Sequence, residues 1–172
     1  MVQIKSAQDK NFDEIWAIIK EVLKKGDTYP FAPETTKAEA FQIWMTSPKA
    51  TYVAYRDGEI VGTYYIKPNQ PGLGAHVCNA GYMVASKARG RGIGRAMCKH
   101  SLDEARKLGF KAMQYNLVVC TNKGAVKLWQ DLGFEIIGTL PKAFNHSEKG
   151  LVDAFVMYQW LADEQLTNGI LQ

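Results

Sequence analysis

The stretch Arg89-Gly90-Arg91-Gly92-Ile93-Gly94-Arg95 decides how this chain is read. It lies between a strand-like run ending at Val84 and a helical run from Ile93 to Leu108. Glycine reaches positive φ at no steric cost and leaves no side chain in front of an approaching ligand. Successive N–H groups of such a turn can point inward as an anion nest, at the positive end of the following helix. Arginine adds bidentate donors that suit phosphate. The turn therefore reads as a pyrophosphate cradle, and Lys87, Arg89, Arg91, Arg95 and Lys99 place five positive charges near it.

Working outward, the segments on either side alternate between strand and helix patterns. Val2–Lys5 suits a short strand. Asn11 and Glu14 have the spacing of a capping box, and Ile15, Ile18, Ile19, Val22 and Leu23 keep helical period until Gly26. A loop with aromatics, Gly26 to Pro33, follows. Thr36 and Glu39 suggest a second cap before Phe41, Trp44 and Met45, and Pro48 forbids continuation. Thr51–Arg56 and Glu59–Ile66 flank Asp57-Gly58, a strong hairpin signal. Ala75–Val84 leads into the glycine turn. The helix there stops at Gly109 and a second one, Lys123 to Leu132, stops at Gly133, each glycine followed by phenylalanine as in a Schellman-type end. Ala112–Val119, Glu135–Thr139 and Leu151–Tyr158 complete the strands. The predicted order is β-α-α-β-β-β-α-β-α-β-β. Only the strands flanking the glycine-turn helix are forced by a crossover to be parallel.

Bulk properties narrow the classes. A chain of 172 residues, 47% hydrophobic and 22% charged, reads as one globular domain, here 1–162 with a C-terminal tail at 163–172. No run approaches a membrane span, and Met1–Lys10 is too polar for a signal peptide. Cys78, Cys98 and Cys120 have neither CxxC nor zinc-type spacing, so reduced thiols in a cytoplasmic protein are the plain reading. A net charge of +4 gathered near one turn suits a small phosphorylated ligand better than a nucleic-acid stripe. The histidines lack metal-ligand spacing, and no metal is expected.

Several phosphate-binding folds own glycine turns, and spacing separates them. A dinucleotide fingerprint needs G-x-G-x-x-G after the first strand, but position 95 is arginine and several strands precede the turn. A Walker loop, G-x-x-x-x-G-K-[ST], is absent. The pattern R-x-x-G-x-G, carried by Arg89, Gly92 and Gly94, instead resembles the acetyl-coenzyme A site of the GNAT N-acetyltransferase superfamily. Downstream, Asn122-Lys123-Gly124-Ala125-Val126-Lys127-Leu128-Trp129 with Leu132-Gly133-Phe134 is similar to that superfamily's second signature. The resemblance implies an α/β (α+β) fold with a mixed, mostly antiparallel sheet of about six to seven strands. Helices would cover both faces, and two parallel central strands, Ala75–Val84 and Ala112–Val119, would splay apart. It implies acetyl-CoA as co-substrate, with pantetheine pairing to the backbone near Met83 and Val84. The pyrophosphate would lie on amides from Arg89, Gly90, Arg91, Gly92, Ile93, Gly94 and Arg95, and Asn122 would touch the pantetheine arm.

A narrower likeness runs from near Thr28 almost to Leu161. Gly62–Asn69, Cys78-Asn79-Ala80-Gly81, Asn116-Leu117 and Val152-Asp153-Ala154 resemble segments of the fungal proline-analogue N-acetyltransferases, which acetylate cyclic amino acids such as azetidine-2-carboxylate. By that likeness Asn79 hydrogen-bonds the acceptor amino acid, and Asn116 with the Leu117 amide holds its carboxylate. From the residues alone, asparagine within a strand can equally satisfy a bulge or a neighbouring backbone group. The expected reaction is direct attack of a small amine on the thioester, with Asn79 and the Val84 N–H nearest the chemistry and Val84 facing the developing oxyanion. A protein or peptide acceptor and a non-catalytic acyl-CoA-binding module are the alternatives.

The superfamily often places a tyrosine where this chain has Trp129, and indole is not a usable proton source near neutral pH. Either Trp129 packs and the thiolate leaves assisted by other donors, or another acid serves, with Tyr82 and Tyr115 as candidates. His76 and Cys78 invite an acyl-cysteine story, but a small buried thiol is the simpler reading of Cys78. His100 is expected on the exposed side of its helix and His146 in a loop. Tyr29, Phe31 and Trp44 suit the wall of an acceptor pocket, the core or a homodimer contact.

Overall fold

The apolar period from Ile15 to Leu23 sets one layer of the protein and the glycine-turn helix sets the opposite one. The computed structural model describes residues 1–162, so the expected tail at 163–172 lies outside the described residues. In chain order the elements are β1 (Gln3–Ser6), α1 (Phe12–Lys25), α2 (Lys37–Phe41), β2 (Ala50–Arg56), β3 (Glu59–Pro68), β4 (Val77–Val84), α3 (Ile93–Lys107), β5 (Ala112–Val119), α4 (Lys123–Asp131), β6 (Glu135–His146) and β7 (Gly150–Trp160). They form one seven-stranded mixed sheet in the order β1-β2-β3-β4-β5-β7-β6. Only β4 and β5 run parallel; the other neighbours are antiparallel. Ile15, Ile19 and Leu23 of α1 join Trp44, Val53, Tyr65 and Met83 in one core. Ile93, Met97 and Leu102 of α3 and Trp129 of α4 join Tyr64, Met113 and Tyr115 in the other. Helices thus bury their apolar stripes on both faces of the sheet.

Local chemistry explains most boundaries. Thr36 and Glu39 form the expected reciprocal capping box of α2, whereas Asn11 does not cap α1. Asn11 Oδ1 instead accepts from the Gln8 N–H at 2.9 Å and its Nδ2 donates to Tyr55 Oη at 3.2 Å, so the side chain is spent one turn earlier. Asp57 and Gly58 both have positive φ, 52° and 83°, as the tight β2–β3 hairpin requires. Beyond α2 the chain widens into a π-turn at Gln42–Thr46. There Trp44 Nε1 donates to Thr63 Oγ1 at 2.9 Å.

β6 is longer than the expected Glu135–Thr139 because Pro141 does not end it. As an edge strand it can carry a residue without an N–H, and the register shifts between Leu140 and Phe144. Lys142 sits in that bulge at φ 53°, its N–H donating to Asp153 Oδ1 at 2.9 Å. His146, placed in a loop by the sequence, therefore ends β6 and is buried.

His100 is likewise not free on the helix surface. Its Nδ1 lies 2.6 Å from Tyr64 Oη. Burial, outweighing the nearby Glu104 carboxylate, lowers its pKa from the ordinary value. Burial raises the Tyr64 phenol, so the phenol donates and Nδ1 accepts. A histidine whose folded pKa is depressed binds its proton more readily unfolded, so its contribution is present above about pH 6.5 and is lost as pH falls below that. The urea midpoint should drop between pH 7.5 and pH 5.5, and His100→Gln should flatten that drop. An unchanged pH dependence in the variant would rule this account out.

Candidate active site

The site begins where the sheet comes apart. The parallel β4–β5 ladder contains Val77 with Ala112 and Cys78 with Met113, and no register continues beyond them. From Asn79 and Gln114 onward the strands diverge. At the fork, Asn79 Nδ2 donates to the Gln114 carbonyl at 2.9 Å, while Tyr65 Oη donates to Asn79 Oδ1 at 3.4 Å. The splay predicted from the sequence is present, and the strand asparagine satisfies a backbone carbonyl that the ladder has released.

Backbone alternation fixes which residues of β4 face the opening. Ala85 N–H donates to Val61 O at 2.9 Å and Asn69 N–H to Val77 O at 2.8 Å, so the odd residues of β4 turn their backbone to β3. Tyr82 and Val84 consequently direct theirs into the gap. Tyr82 O accepts from Tyr29 Oη at 2.9 Å, which leaves Val84 as the free position nearest the glycine turn. Met83 differs from expectation. Its backbone opposes Thr63 and its side chain joins the α1 core, so it has no backbone group to offer pantetheine.

A cleft of about 1270 Å³ runs from this gap to the glycine turn. Gly90 and Gly92 have φ of 72° and 78°, and a Cβ on either would meet no atom within 4 Å. Gly92 is the N-cap of α3, and the first-turn amides of Ile93, Gly94 and Arg95 have no intrahelical acceptor. The turn is thus an open set of N–H donors at a helix N-terminus, which fits a pyrophosphate. The charge is more focused than the sequence implies. Of its five cations only Arg89 and Arg95 line the cleft. Lys87 is engaged by Glu59, and Arg95 also donates to Asp131 Oδ2 at 3.0 Å. Arg91 belongs to the turn but not to the cleft wall. Across the gap Asn122 caps α4, its Oδ1 accepting from the Ala125 N–H at 3.3 Å, which leaves Nδ2 for a ligand.

At the far end, β5 carries a bulge. Tyr115 opposes Met157 and Val118 opposes Phe155, so Asn116 and Leu117 share one partner position. A bulge leaves a residue out of the ladder. Asn116 donates to Asn69 Oδ1 at 2.7 Å and accepts from Gln114 Nε2 at 2.9 Å. Tyr29 and Phe31 line the cleft, whereas Trp44, 1% exposed, is core. Tyr29 lies so close over β4 that a Cβ on Gly81 would come within 3.0 Å of its hydroxyl. The sequence reading missed Lys67 and Asp27, both in the wall. Neither had a signal: Lys67 falls just past the predicted strand end at Ile66 and meets Asn79 only in the folded β3–β4 ladder, and Asp27 lies in a loop.

The proton-source candidates are now placed. Trp129 packs against the rings of Tyr82 and Tyr115, with centroids at 5.0 Å and 5.2 Å. Tyr82 Oη lies 2.6 Å from Ser101 Oγ and 3.0 Å from Tyr115 Oη. Burial pushes both phenols well above their ordinary pKa, and a phenol that resists ionisation is a poor acid. Burial also pushes the Cys78 thiol up to about 12, which leaves no thiolate for an acyl-cysteine.

A splayed parallel pair bordered by an open glycine cradle admits an extended pyrophosphate-bearing ligand between two strands. The sequence model of the acetyltransferase (GNAT) family matches residues 13–134. The chain belongs to the GNAT acetyltransferase family. This GNAT enzyme is an acetyl-CoA-dependent N-acetyltransferase. It is 33% identical over 177 residues to N-acetyltransferase aca1 of Schizosaccharomyces pombe, spanning 91% of this chain and 84% of that relative. Its structure is similar to a GCN5-related N-acetyltransferase from Kribbella flavida, with a TM-score of 0.89 and 45% identity over 93% of this chain and 98% of that one. A phosphinothricin acetyltransferase from Sinorhizobium meliloti in complex with AcCoA shares the fold, with a TM-score of 0.81 at 22% identity over 94% of this chain and 89% of that one.

Proposed function

We propose that this GNAT enzyme transfers the acetyl group of acetyl-CoA to the amine of a small amino acid, with a cyclic acceptor such as a proline analogue as the specific case. The observation that carries the reading is the cleft between β4 and β5, which is bounded at its acceptor end. Ser147 in the β6–β7 turn donates through its N–H to Gly26 O at 3.0 Å and through Oγ to Lys25 O at 2.7 Å. This clasp joins the end of α1 to the β6–β7 turn in the wall of the cleft, and a walled cleft disfavours an extended peptide.

In this reading amides from Arg89 to Arg95 hold the pyrophosphate, helped by the Arg89 and Arg95 guanidinium groups. Val84 N–H receives the charge that develops on the thioester oxygen. Asn122 Nδ2 steadies the pantetheine arm. Asn79 and the bulged pair Asn116 and Leu117 bind the acceptor, and the Lys67 ammonium supplies a counter-charge for its carboxylate. The acceptor nitrogen gives up its ammonium proton to water, and its lone pair attacks the thioester carbon. The C–S bond breaks as a second proton leaves the nitrogen to water. The thiolate departs without a tyrosine acid, because Trp129 packs and Tyr82 and Tyr115 are bonded to neighbours. Holding both reactants in the cleft supplies much of the acceleration.

A coenzyme A-release assay across amines tests the acceptor class. Azetidine-2-carboxylate and proline analogues should be turned over in preference to polyamines and peptides. Turnover of peptides alone would overturn it. A cytoplasmic location belongs to the same proposal, supported by the free thiols Cys78, Cys98 and Cys120. So does a homodimer, supported by Ile136, Ile137 and Leu140 exposed on the edge strand β6. Light scattering should then give twice the 19.2 kDa chain mass, and a monomer at micromolar concentration would remove that element.

A further inference from the structure

An amino-acid acceptor reaches the cleft as an ammonium ion, because its amine is protonated near neutral pH. A carboxylate is the side-chain partner that binds such a nitrogen most strongly. Among the described residues the cleft wall contains two carboxylates, Asp27 and Glu148. They are not equivalent. Glu148 is exposed. Asp27 is half-buried: its Oδ1 is out of solvent with no hydrogen-bond partner among the described residues, and the remaining surface of the residue lines the cleft. An unpaired buried acceptor costs free energy, and native structures keep few of them without a reason.

The backbone around Asp27 is fixed from both sides. Gly26, at φ 60°, closes α1, and its carbonyl is held by Ser147. A Cβ on Gly26 would meet Ser147 Cβ at 3.1 Å, so the two segments are in close contact. Two residues after Asp27, Tyr29 Oη is bonded to the Tyr82 carbonyl in the gap. The loop is therefore tied to β4 at one end and to the β6–β7 turn at the other, with an orphan carboxylate oxygen between the ties.

We propose that Asp27 is the residue that binds the cationic nitrogen of the acceptor, and that it selects ammonium-bearing acids over acids without that nitrogen. The inference rests on the amino-acid reading of the cleft. With Lys67 in the same wall, the site would present opposite charges to the two ends of a zwitterion.

The test compares a ligand with its nitrogen-free isostere. Isothermal titration of the coenzyme A-saturated protein with proline and with cyclopentanecarboxylate reads the preference for the charged nitrogen directly. Wild-type protein should prefer proline by at least about tenfold, in line with one charge-assisted hydrogen bond. In Asp27→Asn, which keeps the shape and removes the charge, the preference should collapse to within about twofold while acetyl-CoA affinity is kept. Asp27→Ser, tested alongside, should behave in the same way. An Asn variant that keeps the full preference overturns the role of Asp27 and leaves the acceptor reading standing. A wild-type protein that binds neither compound, yet acetylates peptides, overturns both. A parallel loss of acetyl-CoA affinity in both variants would assign Asp27 a structural role and sink the proposal.

Discussion

Gly92→Glu should lower acetyl-CoA affinity by at least about a thousandfold and leave the chain folded. Two features of Gly92 give the result. Its φ of 78° is one that side chains with a Cβ rarely adopt, and no atom lies within 4 Å of where a Cβ would be. The added side chain therefore has room in the protein, and the space it enters is the one in front of the α3 amides. A carboxylate there repels a pyrophosphate and competes for the same N–H donors. Losing two charge-assisted hydrogen bonds at about 2 kcal/mol each is about 4 kcal/mol, or roughly a thousandfold. The fold is disturbed much less, since a non-glycine residue in the left-handed region costs roughly 1–2 kcal/mol. For a domain of this size that lowers the melting temperature by only about 2–8 °C. Gly92→Ala, which adds strain without charge, should lose much less affinity. Calorimetric titration with acetyl-CoA checks both variants; unchanged affinity in Gly92→Glu would mean that the turn does not hold the pyrophosphate.

The cradle was legible because its chemistry is local. Positive φ at Gly90 and Gly92 and a helix beginning at Ile93 involve only consecutive residues, and the sequence carries them directly. The same holds for the Asp57-Gly58 hairpin and the glycine endings of α3 and α4. The order of elements followed, and a crossover helix between β4 and β5 made those strands parallel. Properties set by residues distant in sequence were not legible. The charge focused on Arg89 and Arg95 depends on Glu59 engaging Lys87, and no spacing rule encodes that pair. Tyr29 in its loop and Trp44 in the second helical run read alike as candidates for the acceptor wall, the core or a dimer contact. A bond to Thr63 draws Trp44 into the core, and a bond to Tyr82 holds Tyr29 over the gap. Asp27 became a candidate only when the fold left its oxygen buried without a donor.

Replacing the Val84 N–H separates binding from chemistry. Because the odd residues of β4 satisfy β3, the N–H of Val84 is not needed by the ladder, and Val84→Pro removes it without breaking a sheet bond. Met83 lies within strand β4, the extended conformation that a residue before proline prefers. If Val84 N–H meets charge that grows on the thioester oxygen, its loss is felt in the transition state more than in the bound state. Removing one such donor lowers kcat by about a hundred- to a thousandfold. Acetyl-CoA affinity should change by less than about tenfold, since the pyrophosphate contacts lie elsewhere and one neutral hydrogen bond contributes about 1 kcal/mol. Val84→Ala, which keeps the N–H and trims only the side chain, should retain kcat within a few-fold of wild type, and circular dichroism should show both variants folded. A folded Val84→Pro enzyme with kcat within tenfold of wild type would move the oxyanion contact off β4. The group left to serve it would then be the Asn79 amide. Its Nδ2 already donates to the Gln114 carbonyl where the strands part, so that role would require the contact to break during turnover.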